Sequence, residues 1–130
     1  MANSPKSNAS ELTISVIVPA YNAAHYLELS LPPLIAMRER GEVEEVFVVD
    51  DCSPDPSNVE TAARLGATVI RMEKNGGPGA ARNHAAKLAS GDILWLVDAA
   101  VVAHADAANV LRRSFVNSSI AAVFGSYDRT

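Results

Sequence analysis

The chain has 130 residues, 48% hydrophobic and 20% charged, with a formal net charge of −4. That is the size of one ordinary domain with ample core material, which excludes a disordered chain, and the acidic balance without a Lys/Arg block excludes a basic nucleic-acid surface. No apolar run reaches the roughly 18 residues of a membrane helix or resembles a signal peptide, and the lone Cys52 rules out an internal disulfide, so a soluble, cytoplasmic chain is expected, whether or not a longer parent protein is membrane-associated.

Residues 1–11 are polar and rich in Ser and Asn, which predicts a flexible lead-in. Residues 12–20 (LTISVIVPA) are β-branched and apolar at nearly every position, the pattern of a strand buried on both faces, and Pro19 ends its ladder. Tyr21 and Asn22 open a turn, and a helix begins over 23–30. Pro32-Pro33 predicts either a kink or a restarted helix with proline in its first turn, running to about Arg40 before Gly41. Residues 45–49 (EVFVV) predict a second strand, which ends in Asp50-Asp51. CSPDPSN reads as a loop, followed by a short helix to about Leu65 with Ser57 or Asp55 as its cap.

A third strand is expected over 67–72, then a glycine-rich loop over 73–79 (EKNGGPG) and a helix over 80–89. Residues 93–97 (ILWLV) form an apolar run of strand length that stops abruptly at Asp98. Another helix is expected over 105–115 and a final strand over 120–127. Strands alternate with helices throughout. The pattern predicts a three-layer α/β/α sandwich around a mostly parallel, Rossmann-like sheet.

In such a sheet the carboxyl ends of the strands share one edge, and ligands bind in the crevice outside it. Tyr21-Asn22, Asp50-Asp51 and Asp98 all fall at strand ends. Aspartate is a poor strand former, and burying its charge is costly unless it is paired or bound to metal. The bland alternative is that strand ends simply need turn formers. The glycine-rich loop does not satisfy the dinucleotide fingerprint: Arg82 stands where Gly or Ala is required, and the loop follows the third strand rather than the first. A loop whose amides face a phosphate, with Arg82 one turn into the helix, stays open beside a plain connection capped by Gly79. His25, His84 and His104 have no metal-ligand spacing. Cys52 lies beside two acids, which makes it a poor nucleophile candidate, and there is no Gly-x-Ser-x-Gly elbow.

Four segments carry a resemblance to a known family: SVIVPAYN from Ser15, VVDDCS from Val48, NGGPGAARN from Asn75, and GDILWLVDA from Gly91. In that order and spacing the chain resembles the nucleotide-sugar-binding, N-terminal half of a family 2 inverting glycosyltransferase with the GT-A fold, of the hexosyltransferase kind. The resemblance implies that residues 12–130 are a donor-binding domain for a nucleoside-diphosphate sugar, typically a UDP-sugar. It implies that Pro19, Ala20, Tyr21 and Asn22 cradle the nucleobase, that Asp51 accepts the imide N–H of the base, and that Asp50 supports the pocket. It places Gly79 and Arg82 near the diphosphate or base, and Asp98 at the opening of the Asp-x-Asp motif that holds Mg²⁺ or Mn²⁺.

Two departures from the family pattern stand out. Ala100 replaces the second motif acid, so a variant motif with weakened metal binding is expected. The acceptor half and the catalytic Asp or Glu base would lie beyond residue 130, so no catalytic residue is expected within this chain and little turnover from it alone. Two other readings remain: a non-catalytic nucleotide-binding module of the same fold, and a fragment that forms a homo-oligomer through its exposed sheet edge.

Overall fold

The structure, a computed structural model, describes residues 12–116. The predicted lead-in over 1–11 and the final strand over 120–127 lie outside those residues. Eight elements alternate: β1 (Ile14–Ala20), α1 (Ala24–Glu39), β2 (Glu45–Asp50), α2 (Ser57–Arg64), β3 (Thr68–Arg71), α3 (Gly77–Leu88), β4 (Ile93–Leu96) and α4 (Ala107–Ser114). The four strands are ordered β3-β2-β1-β4, and every pairing is parallel. The α/β class and parallel sheet expected from the alternation are present.

β1 can lie inside the sheet, beside β2 and β4, because its side chains are buried on both faces. Its alternate residues Ile14, Val16, Val18 and Ala20 pack with Leu27, Leu31, Leu34 and Met37 of α1, Ala62 of α2 and Ala108 of α4. Ile17 points the other way and joins Phe47 and Val49 of β2 against Ala81 and Ala85 of α3. The result is a sheet sandwiched between two helical layers. The four α1 side chains are wholly buried, and each contributes about 1.5–3 kcal/mol relative to an exposed one.

That burial explains why Pro32-Pro33 neither breaks nor restarts the helix, as the dipeptide alone suggests. Both prolines lie inside α1, and Leu27 and Leu31 before them and Leu34 and Met37 after them are anchored in one core. The carbonyls that lose their amide partners belong to Glu28 and Leu29, which are exposed, so water can take up those carbonyls. α2 also begins with a local device. Asp55 Oδ1 accepts the Ser57 N–H at 2.7 Å, so Asp55 rather than Ser57 satisfies the first turn.

The amino ends of the strands are joined by a polar latch. Glu45 Oε2 accepts the Ser15 hydroxyl at 2.6 Å, the Ser90 N–H at 2.7 Å and the Ser90 hydroxyl at 3.0 Å, while Ser15 Oγ accepts the Gly91 N–H at 2.8 Å. Partial burial pushes the Glu45 carboxyl up, but the hydrogen bonds from Ser15 and Ser90 outweigh it and hold the group below the usual range. At Gly91 the approach is so close that a Cβ would meet the Ser15 nitrogen and hydroxyl at 2.6 Å. Arg112 of α4 donates to the carbonyls of Leu12 and Glu42, which ties that helix to the same end of the sheet. Among the described residues β4 pairs on one side only, and Leu94 and Leu96 on it are 44% and 49% exposed.

Candidate functional site

Because all four strands run parallel, the β1–α1 turn, the end of β2, the start of α3 and the residues after β4 meet at one edge. They enclose a cleft of about 490 Å³. Pro19, Ala20 and Tyr21 line one side of it, Asp51, Pro78 and Arg82 another, and Leu96, Val97 and Asp98 the third. Six residues singled out from the sequence are therefore neighbours in space: Pro19, Ala20, Tyr21, Asp51, Arg82 and Asp98. Asn22, Asp50 and Gly79 are close in sequence to this group but do not line the cleft.

The adjacent acids after β2 do different things. Asp50 is wholly buried at the last position of the strand. Its charge is tolerated there because Arg71 Nη1 of β3 donates to Oδ2 at 2.6 Å, Asn58 Nδ2 donates to Oδ1 at 2.6 Å, and the Ser53 N–H donates to Oδ2 at 3.2 Å. Asp51 points into the cleft. Its Oδ1 accepts the Gly76 N–H at 3.0 Å and its Oδ2 the Gly77 N–H at 2.9 Å, so a carboxylate from β2 serves as a remote cap for α3.

This capping corrects the helix boundary expected from composition. α3 starts at Gly77, with Pro78 in its first turn, so Gly79 lies inside the helix rather than ending a loop. Pro78 is preset for a first helical turn, and Gly77, at φ 85°, turns its amide back to Asp51. Arg82 sits one turn further on with its Nε donating to the Pro78 carbonyl at 3.2 Å, which leaves the exposed guanidinium at the cleft.

Asp98 is exposed and opens a turn: its Oδ1 accepts the Ala100 N–H at 2.9 Å, and its carbonyl accepts the Val101 N–H at 2.9 Å. Ala99 is buried while Ala100 is exposed. Asp98 and Ala100 are thus both exposed, and of the two Asp98 lines the cleft. As a cation site the donor set is poor, because a divalent ion of the magnesium type prefers about six oxygens and position 100 offers a methyl group. Among the described residues no group of three or more His, Cys, Asp or Glu could hold a metal ion.

Sequence reading missed three residues that shape this edge: Arg71, Asn58 and Ser53. Arg71 had a signal, since it ends β3 opposite the Asp50 that ends β2, an opposite charge one strand away. Asn58 had none, because only the packing of α2 brings it under β1. Two non-glycine residues with left-handed backbone, Asn22 at φ 47° and Cys52 at φ 61°, flank the cleft, one in each of the turns that form it. A second, more open concavity lies on the outside of α1 between Pro32, Ile35 and Leu65, away from these residues.

Comparison with known proteins bears on the family and the fold. The profile of Glycosyl transferase family 2 matches residues 15–130. The poly(ribitol-phosphate) β-N-acetylglucosaminyltransferase TarS of Staphylococcus aureus is 42% identical over 92 residues, which is 67% of this chain and 16% of that protein. In structure, S. aureus TarS 1–349 in complex with UDP-GlcNAc superposes with a TM-score of 0.66 at 34% identity, covering 82% of this chain and 32% of that one. The mannosyltransferase PcManGT of Pyrobaculum calidifontis, in complex with GDP-Man and Mn²⁺, gives a TM-score of 0.69 at 28% identity, covering 78% of this chain and 32% of the other. The chain spans 28% or less of the curated relatives it matches. With the family profile running from β1 to the last residue, and a GT-A type sheet shared with solved glycosyltransferases, this chain belongs to glycosyl transferase family 2.

Proposed function

We propose that this chain binds the nucleoside-diphosphate part of a UDP-sugar in the cleft and forms the donor half of an inverting glycosyltransferase. The observation that carries the reading is the convergence of Tyr21, Asp51, Arg82 and Asp98, from four separate segments, on one cleft. The nucleobase lies along Pro19 to Tyr21, and Asp51, whose carboxylate has acceptor capacity beyond its two amide partners, receives the imide N–H. Arg82 faces the diphosphate with a geometry suited to phosphate oxygens. The UDP-GlcNAc complex of TarS supports uridine as the base. Mg²⁺ or Mn²⁺, held by Asp98 and mainly by the donor's own phosphates, would neutralise the departing diphosphate.

In the whole enzyme an acceptor hydroxyl forms the new bond to the anomeric carbon as the bond to the diphosphate breaks, with inversion. The hydroxyl proton goes to a carboxylate acting as general base. This chain alone binds nucleotide weakly and turns over little. The Ala100 departure favours a second reading, a nucleotide-binding module without catalysis. A second copy would pair along β4, where Leu94 and Leu96 are exposed.

Calorimetric titration with UDP and GDP, each with Mn²⁺ or with chelator, tests the proposal. UDP is expected to saturate one site and bind more tightly than GDP. Absence of saturable heat with either nucleotide at millimolar concentration would refute it.

A further inference from the structure

The turn that carries Tyr21 cannot hold itself in place. α1 begins after Ala23, a residue with no capping side chain, and its first turn contains no acid. The Ala23 N–H is in a position only 6% exposed, where an unpaired amide is costly. Its partner comes from another helix: Asn58 Oδ1 of α2 accepts it at 2.9 Å. The neighbouring Asn22 N–H donates to Ser53 Oγ at 3.0 Å. The Asn58 Nδ2 donates in turn to Asp50 at 2.6 Å, and Asp50 is anchored by Arg71. Asn58, Asp50 and Ser53 are all at most 1% exposed.

The opposite wall of the cleft has a separate support, the Asp51 carboxylate on the Gly76 and Gly77 amides that start α3. The two meet only at the Ala20 carbonyl, which accepts the Asp51 N–H at 3.0 Å and Asn58 Nδ2 at 3.5 Å; the Asn58 carboxamide and the Asp51 carboxylate otherwise hold different segments. We infer that Asn58, held by the Asp50–Arg71 ion pair, is a positioning residue for the nucleobase side of the cleft. It sets the Tyr21 turn while leaving the phosphate side to Arg82 and the start of α3. This rests on the reading of the cleft as a uridine-nucleotide site.

The mechanism is a population effect. Without the carboxamide the turn samples other conformations, and the apparent affinity falls by the fraction of time it remains competent. A buried asparagine that merely stabilised the fold would lower the melting temperature and leave the affinity of the folded protein for every ligand unchanged.

The test compares the unaltered chain with Asn58→Ala and with Ser53→Ala, a milder change that removes only the acceptor for Asn22. Amide hydrogen exchange is followed in the free protein, and UMP and inorganic pyrophosphate are titrated. Asn58→Ala is expected to speed exchange at Asn22 and Ala23 but not along β2, and to weaken UMP roughly tenfold if the turn is competent about a tenth of the time. Pyrophosphate binding should stay the same, and Ser53→Ala should shift UMP in the same direction by less. Asn58→Asp should weaken UMP by setting two carboxylates together, and adding Asp50→Asn should restore most of the loss, because a donor and an acceptor again face each other.

Unchanged UMP affinity and unchanged exchange in a folded Asn58→Ala protein would overturn the inference while leaving the nucleotide reading intact. Equal weakening of UMP and pyrophosphate, or a double variant no better than Asn58→Asp, would also overturn it. If the unaltered chain binds neither UMP nor UDP, the nucleotide reading fails, and this inference with it.

Discussion

Replacing Asp51 with alanine removes two supports at once, and each has its own readout. The first is the cap on α3, two hydrogen bonds at 3.0 and 2.9 Å from Gly76 and Gly77 to a charged acceptor. Such bonds contribute roughly 1.5–3 kcal/mol each when buried, but Gly76 is exposed and Gly77 half-buried, so water replaces part of them and a net loss of about 2 kcal/mol is expected. For a domain of this size that corresponds to a melting temperature lower by roughly 6–10 °C. The second support is the acceptor for the base imide, and losing a bond to a charged group weakens UDP roughly tenfold to a hundredfold. Thermal unfolding and calorimetry on the same preparation measure both. A folded Asp51→Ala protein with unchanged UDP affinity would refute the base-reading role, and an unchanged melting temperature would refute the capping role.

Gly91→Ala is expected to destabilise the fold by about 1–3 kcal/mol, because the added methyl group meets the β1 backbone and cannot be relieved by a side-chain rotation. Denaturant unfolding checks it, and a stability within error of the unaltered chain would contradict the close approach. Glu45 is held below its ordinary value of 4.5 in the folded state. Its contribution is therefore complete above that value and is lost as the pH falls through the lower folded one, so Glu45→Gln should flatten the stability profile on the acid side of 4.5. An identical acid slope in both proteins would argue against the latch. Asp98 and Ala100 are both exposed and two residues apart in one turn, so Ala100→Asp should make UDP binding clearly dependent on Mn²⁺ in calorimetry, with little dependence expected in the unaltered chain. Strong dependence already present without the change, or none added by it, would remove position 100 from the metal site.

Much of this architecture could be read from residue patterns because its physics is local. The unbroken β-branched run before Tyr21 requires burial on both faces, and β1 is one of the two inner strands, with β2 and β4 as its neighbours. Strand ends in Asp50-Asp51 and Asp98 predict a polar crevice at one edge, and the cleft lies there. What failed was decided by contacts between distant segments. Of the kink or restart that Pro32-Pro33 suggests, the restart does not occur, since four buried side chains anchor one helix on both sides of the pair. Gly79 reads as the end of a loop, yet the Asp51 carboxylate, 26 residues before Gly77, starts the helix earlier. An extended segment would place positions 98 and 100 on one face by alternation, whereas here the chain closes into a turn after Asp98. Asn58 carries no pattern at all, because its role exists only once α2 is packed under the β1–α1 turn.

The central claim is that the cleft at the carboxyl edge of the sheet takes a uridine nucleotide, and mapping backbone amide shifts during a UDP titration tests it most directly. The account predicts saturable movement of Ala20, Tyr21, Asp51, Gly76, Gly77, Arg82 and Asp98 together, with β3 and the outer face of α1 unmoved. Shifts confined to the concavity between Pro32, Ile35 and Leu65, or no saturable shift at all, would contradict it.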